Sequence, residues 1–177
     1  MFGVGQAPSA PERAPQVDWM VVGEAPGENE DLQGEPFVGQ AGKLLDNMLK
    51  AIGLGRHEQV YIANVLKCRP PNNRNPAPAE IAQCEPYLLR QVALLQPRII
   101  LAMGRFAINT LLASSVPGVE AIPVGKLRGK VYSYEGVPVV VTYHPAYLLR
   151  NLPEKAKAWE DLCLALATVQ AASAQGG

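Results

Sequence analysis

The chain has 177 residues, 48% hydrophobic and 18% charged, which suits one domain with a core of its own. Its 16 basic and 16 acidic residues cancel; this excludes a non-specific polycation but leaves room for a local patch that binds phosphates. No apolar run is long enough to cross a bilayer, and Met1-Phe2-Gly3-Val4-Gly5 lacks the basic-then-apolar pattern of a signal peptide, so a cytoplasmic location is expected.

Residues 6–17 contain three prolines and are expected to form an irregular leader. Trp19-Met20-Val21-Val22 is a short apolar run ending at Gly23, which predicts a buried strand entering a tight turn. From Gly39 to Ile52 the residues Leu44, Leu45, Met48, Leu49 and Ile52 recur on one helical face, and Gly53 ends the pattern. Val60–Val65 predicts a second strand, followed by a Pro/Asn loop over 70–78. The stretch 79–95 reads as a helix, with Ile81, Cys84, Leu88, Val92 and Leu95 at helical spacing. Ile99–Ala102 is a third strand, and Gly104 opens a helix running to Leu112. Residues 116–130 are rich in turn formers, Val137–Thr142 predicts a fourth strand, and Lys155–Val169 a last helix. A small, polar tail from about 171 to 177 is expected to be disordered.

Apolar strands alternating with helices predict an α/β fold in three layers, α/β/α, around a central, mainly four-stranded parallel sheet. One domain over 1–177 is expected, without internal repeats. Right-handed crossovers put the loops that follow the strands at one edge of the sheet. The segments Gly23–Gly27, Asn64–Arg69, Gly104 and His144–Arg150 are therefore expected to meet there.

Gly23-Glu24-Ala25-Pro26-Gly27 follows the first strand. Its glycines allow backbone N–H groups to approach a ligand and its proline stiffens the turn, yet the same residues also describe an ordinary β–α turn. No Gly-Lys-Ser/Thr follows it and its glycine spacing is not that of a dinucleotide site. Phe37, in Gly34-Glu35-Pro36-Phe37-Val38-Gly39, lies outside any periodic core pattern; its ring could stack on a base or pack under a loop. Asn64 ends the second strand. Its amide offers a donor and an acceptor that complement a pyrimidine edge, or it satisfies loop backbone. His144 follows the fourth strand and leads into Tyr147-Leu148-Leu149-Arg150, where apolar side chains could wedge into a base stack and the arginine could hold a phosphate. From Val124 to Lys157 the basic residues Lys126, Arg128, Lys130, Arg150, Lys155 and Lys157 outnumber the acids Glu135 and Glu154.

In this order, Gly-Glu-Ala-Pro-Gly with Glu30-Asp31 soon after, Pro36-Phe37-Val38-Gly39-Gln40-Ala41-Gly42, Asn64-Val-Leu-Lys-Cys-Arg-Pro-Pro and His144-Pro-Ala-Tyr-Leu-Leu-Arg-Asn resemble the motifs of the family 4, iron–sulfur type uracil-DNA glycosylases. The resemblance implies a base excision repair enzyme that flips uracil out of single- or double-stranded DNA and hydrolyses its N-glycosidic bond. It implies that Gly23, Ala25, Pro26 and Gly27 lie against the base, that Glu24 acts on water, and that Phe37 stacks on the base. Asn64 would read the uracil edge and His144 would donate to the leaving oxygen. Tyr147, Leu148, Leu149 and Arg150 would enter the duplex, and Lys126 and Arg128 are further candidates for DNA contact. A monomer is expected, without membrane contact. A cross-linking relative carries a histidine in a basic loop beyond the position of Cys68; residues 69–80 here hold Arg69 and Arg74 but no histidine. A non-catalytic DNA-binding module of the same superfamily is the alternative, against which stand intact Glu24, Asn64 and His144. A serine hydrolase lacks its Gly-x-Ser-x-Gly elbow here.

The three cysteines are too few and too widely spaced for a disulfide framework. The resemblance implies a 4Fe–4S cluster on four thiolates, two of which match Cys68 and Cys84. The remaining Cys-x-x-Cys pair belongs near the N-terminus and is not in this sequence: either the numbered chain is truncated or the cluster is lost, and two thiolates alone are not expected to hold it. Cys163, set among Leu162, Leu164, Ala165 and Leu166, is expected to be a buried core thiol.

Overall fold

The computed structural model describes residues 17–175. The proposed leader lies outside the described residues except for Val17, which is buried. Five strands form one sheet: β1 (Trp19–Gly23), β2 (Val60–Asn64), β3 (Ile99–Met103), β4 (Val131–Tyr134) and β5 (Val137–Thr142), in the order β2-β1-β3-β5-β4. All pairs are parallel except β4 with β5.

The parallel strands are nearly continuous runs of Val, Ile, Leu and Met because both faces of the sheet are covered. Successive side chains point to opposite faces, so each strand feeds two cores. Met20, Val22, Ile100, Ala102, Val139 and Val141 pack with helices α3 (Pro78–Leu95) and α4 (Arg105–Leu112) through Leu88, Val92, Ile108 and Leu111. Trp19, Val21, Ile62, Leu101 and Val140 pack with helices α2 (Gln40–Ala51) and α7 (Lys155–Gln175) through Leu45, Leu49, Leu162 and Ala165. Full burial of one such aliphatic side chain contributes about 1.5–3 kcal/mol.

The sheet differs from expectation by its fifth strand. Glu135 (φ 49°) and Gly136 (φ 79°) form a two-residue turn with both residues left-handed, and this returns β4 antiparallel onto β5. Glu-Gly lacks the usual Asn-Gly or Asp-Gly signature of such a hairpin, and β4 is a short edge strand. Helix α1 (Glu28–Gln33) follows the Gly23–Gly27 turn, and two more short helices, α5 (Val124–Leu127) and α6 (Pro145–Arg150), occupy segments expected to be loops. Helix α7 runs through Gln175, so residues 171–175 are helical where a disordered tail was expected. Cys163 is exposed, not buried. The buried line of α7 is Ala158, Leu162, Ala165 and Val169, and Cys163 falls one residue off it.

Strand order reverses about β1: the chain goes to β2 on one side and to β3 on the other. The crevice beyond the carboxyl ends of β1 and β3 is where open α/β sheets hold ligands. Gly23 pairs with Asn64 in register, and Met103 with Thr142, which brings the four following loops to this crevice.

Candidate active site

The floor of the crevice is built around Gly23. A Cβ on this residue would lie 2.5 Å from Cζ of Phe37 and 2.6 Å from Oδ1 of Asn64, so only glycine allows the aromatic ring and the amide to close on the same backbone. Asn64 is 4% exposed. Its Oδ1 has no hydrogen-bond partner, and an unpaired buried acceptor is costly unless a ligand supplies the donor. Pairing continues past the strands: Val65 N–H donates to Gly23 O (3.0 Å) and Leu66 N–H to Glu24 O (3.0 Å). Buried Lys67 donates from Nζ to Asn64 O (2.6 Å) and to Gln91 Oε1 (2.8 Å), which ties the Asn64 peptide to α3. Burial lowers the Lys67 pKa to about 8.

Phe37 is 5% exposed and has a left-handed backbone, φ 56°. Its ring stacks on His144, with centroids 5.3 Å apart and planes at 26°. The residues around it were not legible as site residues. Glu30 accepts from Val38 N–H (3.0 Å) and Gly39 N–H (3.2 Å) through Oε1, and from Gly27 N–H (3.1 Å) through Oε2. Arg56 donates to Pro36 O (2.8 Å), Phe37 O (2.6 Å) and Asp46 Oδ1 (2.7 Å).

His144 caps α6: its Nδ1 accepts from Ala146 N–H at 3.1 Å. The ring proton of the neutral imidazole therefore sits on Nε2. Burial, assisted by the nearby Arg150 charge and opposed by Glu30, lowers the His144 pKa to about 4. The imidazole is thus neutral at physiological pH. It can donate one hydrogen bond without carrying a charge. Gly104 (φ 85°) turns β3 into α4 directly against it; a Cβ there would lie 2.9 Å from Cβ of His144.

Beside these residues opens a cavity of about 550 Å³, lined on one side by Glu24, Ala25, Pro26 and Gly27 and on the other by His144, Ala146, Tyr147 and Arg150; Gly23, Phe37 and Asn64 are not among its lining residues. Pro70, Asn73 and Arg74 close the third side; Arg74 is legible in the sequence only as a basic residue of the loop beyond Cys68 and Asn73 is not singled out there, although the Pro/Asn loop follows β2 at the same edge. Arg74 is paired with Glu80. Burial raises the Glu24 pKa from its ordinary value. The arrangement combines a carboxylate that can polarise water, an amide with a free acceptor, an aromatic plate and a neutral donor.

The expected DNA-contacting residues separate into three groups. Tyr147, Leu149 and Arg150 are exposed on α6. Leu148 is 1% exposed and belongs to the core beneath, because it lies on the inward side of that helix turn. Lys126 is exposed, but the Arg128 guanidinium is turned inward: it donates to Asp161 Oδ2 (2.6 Å) and to Lys157 O, and lies 5.2 Å over the Tyr143 ring. Tyr143 in turn stacks on Tyr147, at 4.9 Å.

Cys68 and Cys84 line one cavity of about 330 Å³, with Leu66, Arg69, Pro70 and Gln83 among its walls. Cys163 does not line it. Among the described residues no three potential ligands converge on one point. Two thiols facing one cavity suit half of a four-thiolate set; the cysteines of this chain do not complete it.

The fold and the cavity define a class: an α/β domain with an open cavity at the switch point of its sheet. A family model, uracil DNA glycosylase superfamily, matches residues 10–163, and the chain belongs to that superfamily. It is 52% identical to a type-4 uracil-DNA glycosylase of Archaeoglobus fulgidus over 132 residues, 72% of this chain and 65% of that protein. It is 48% identical to the type-4 enzyme of Saccharolobus solfataricus over 147 residues, 80% of this chain and 67% of that protein. A type-4 enzyme of Pyrobaculum aerophilum is 44% identical over 149 residues, 82% of this chain and 74% of that protein. The chain thus spans about two thirds of the length of the first two.

Proposed function

We propose that this chain excises uracil from DNA by hydrolysing the N-glycosidic bond, leaving an abasic site for base excision repair. The observation that carries the reading is the buried, unpaired Asn64 Oδ1 on the same floor as a neutral His144 whose Nε2 bears the proton. Uracil offers N3–H to that acceptor and O4 to the amide N–H of the same side chain. Cytosine offers a lone pair at N3 and an amino group at the next position, which inverts both contacts. The rings of Phe37 and His144 are too close to admit a base between them, so the proposed stacking on Phe37 lies outside the gap between the two rings.

As the glycosidic bond breaks, negative charge moves onto the base. His144 Nε2–H donates to uracil O2 and stabilises the anion; one such donor is typically worth about 3–4 kcal/mol. The Glu24 carboxylate orients a water that attacks the sugar and takes up its proton. Tyr147, Leu149 and Arg150 face the DNA, with Lys126 farther out. Arg128 supports this surface indirectly through Tyr143. A 4Fe–4S cluster of the kind implied by the type-4 motifs would take Cys68 and Cys84 as two of its ligands and would brace the Asn64–Pro70 loop. The uracil pocket is built from other residues. We also propose a single domain acting as a monomer, in the cytoplasm; among the described residues no helix is long and apolar enough to cross a membrane.

Incubation of the purified chain with a uracil-containing oligonucleotide, followed by alkaline cleavage, tests the reading. Strand scission at uracil, and not at cytosine or thymine, is the expected result. An intact oligonucleotide at stoichiometric enzyme refutes it.

A further inference from the structure

The proposed chemistry needs the Phe37 ring in one place, and Phe37 stands on a backbone that would not choose that place unaided. A phenylalanine at φ 56° is in the left-handed region, which side chains with a Cβ rarely adopt. Such a conformation persists only where its surroundings over-determine it.

Two side chains of opposite charge do so here. The Glu30 carboxylate receives the N–H groups on the far side of the turn, Val38 and Gly39, and with its other oxygen holds Gly27 of the water-positioning loop. The Arg56 guanidinium takes the carbonyls on the near side, Pro36 and Phe37, while Asp46 orients it through Nε. Arg56 is largely sheltered, its side chain 12% exposed, so these charge-assisted bonds compete little with water. Helix α2 presses from below: a Cβ on Gly42 would lie 1.7 Å from Phe37 O. Like Phe37 itself, neither Glu30 nor Arg56 lines the cavity.

We propose that Glu30 and Arg56 are positioning residues that act as one clamp. It holds the Phe37 turn and the Gly23–Gly27 loop in register, so that the base-stacking ring and the water-orienting Glu24 keep a fixed spacing. This rests on the uracil-excision reading for its kinetic consequence, though not for its structural one. A misplacement of about 1 Å can cost roughly a hundredfold in rate without loss of binding.

The test has two arms. Amide hydrogen exchange is compared in the unmodified chain, E30Q, R56A and R56K. The clamp predicts exchange at Val38 and Gly39 faster by roughly tenfold or more in all three variants, with the sheet amides of β1 and β3 unchanged. In the second arm, single-turnover excision at saturating enzyme is measured for the unmodified chain, R56K, F37A and the double variant F37A/R56K. R56K keeps the charge but cannot span two carbonyls and Asp46 at once. It should slow excision by roughly tenfold in the unmodified background and by less than about twofold in F37A, with affinity for abasic product DNA held within about threefold in each. Equal slowing in both backgrounds overturns the proposal, because Arg56 would then act elsewhere than through Phe37. Unchanged exchange at Val38 and Gly39 overturns it as well. Should the unmodified chain fail to excise uracil, the function reading falls, and the exchange arm alone decides whether the clamp exists.

Discussion

His144 holds two posts at once, and they can be separated. Its Nδ1 caps α6 through Ala146 N–H, and its Nε2–H is the proposed donor to the leaving base. His144→Ala removes both. Loss of an N-cap costs about 1 kcal/mol, which lowers Tm by roughly 2–4 °C in a chain of this size. Loss of the donor costs about 3–4 kcal/mol of transition-state stabilisation, a slowing of roughly 10²–10³. His144→Asn keeps the first post, because Asn is among the preferred caps and its Oδ1 can accept from Ala146 N–H. Its amide does not reach where Nε2 stands. The two variants lose the Phe37 stack equally, so that term cancels between them. The expectation is therefore a similar rate for both, roughly 10²–10³ below the unmodified chain, with the Asn variant the more thermostable. Single-turnover excision measured well below either Tm, with product-DNA affinity as control, reads the first quantity, and calorimetry the second. Either variant excising within about tenfold of the unmodified rate would refute the donor assignment. Equal melting temperatures would refute the cap.

Four further outcomes are expected. Gly23→Ala should slow excision and cost about 1–3 kcal/mol of stability, because its methyl meets Phe37 and Asn64 at 2.5 and 2.6 Å; a variant with unchanged denaturant midpoint and rate would contradict the packing. Asn64→Asp should weaken uracil excision and open the way to cytosine, measured on paired oligonucleotides; full, uracil-only activity would count against its role as reader. The pH–rate profile should rise through a Glu24 pKa above 4.5, since Glu24 acts ionised and burial favours its neutral form. It should show no step near 6.5, because His144 is already neutral down to about 4; a Glu24→Gln profile that keeps the acidic limb would assign it elsewhere. Anaerobic reconstitution of this chain with iron and sulfide should leave no visible charge-transfer band after desalting, because Cys68 and Cys84 supply two ligands of four; a stable chromophore lost in Cys68→Ser would overturn that.

The elements that were legible in the sequence are those whose burial is uniform. β1 and β3 are buried throughout, β5 is an apolar run from Val137 to Val141 buried from Val139 on, and α2 repeats leucines at helical spacing, so each predicted segment lies within a residue or two of its observed span. The misses share a cause. β4 is an edge strand with one buried residue, Tyr134, so it leaves little periodic trace. α6 begins on a histidine acting as acceptor, a cap that residue preferences do not reveal. Cys163 sits among apolar neighbours in sequence yet on the outer side of its helix, where composition misleads and only phase decides.

The same contrast runs through the site. Asn64, His144 and Glu24 could be singled out because their side-chain chemistry matches the reaction step for which each is proposed. Glu30 stands out only as part of a motif, without a role, and Arg56 not at all, because what they bind is backbone: Val38 N–H, Gly39 N–H, Pro36 O and Phe37 O carry no residue-type signature. Nor does any local preference announce that Phe37 will turn left-handed; that follows from Gly42, five residues on, and from Arg56, far beyond it, arriving at the same carbonyl. Arg128 shows the converse error. Its charge in a basic stretch suggests a phosphate ligand, yet a buried carboxylate on α7, Asp161, claims it. A charge read from sequence is only an offer, and the fold decides whether DNA or the protein itself accepts it. At this site the distinction matters chemically, because the groups proposed to touch substrate are few, and the clamp proposed to space them consists of charges turned to the backbone.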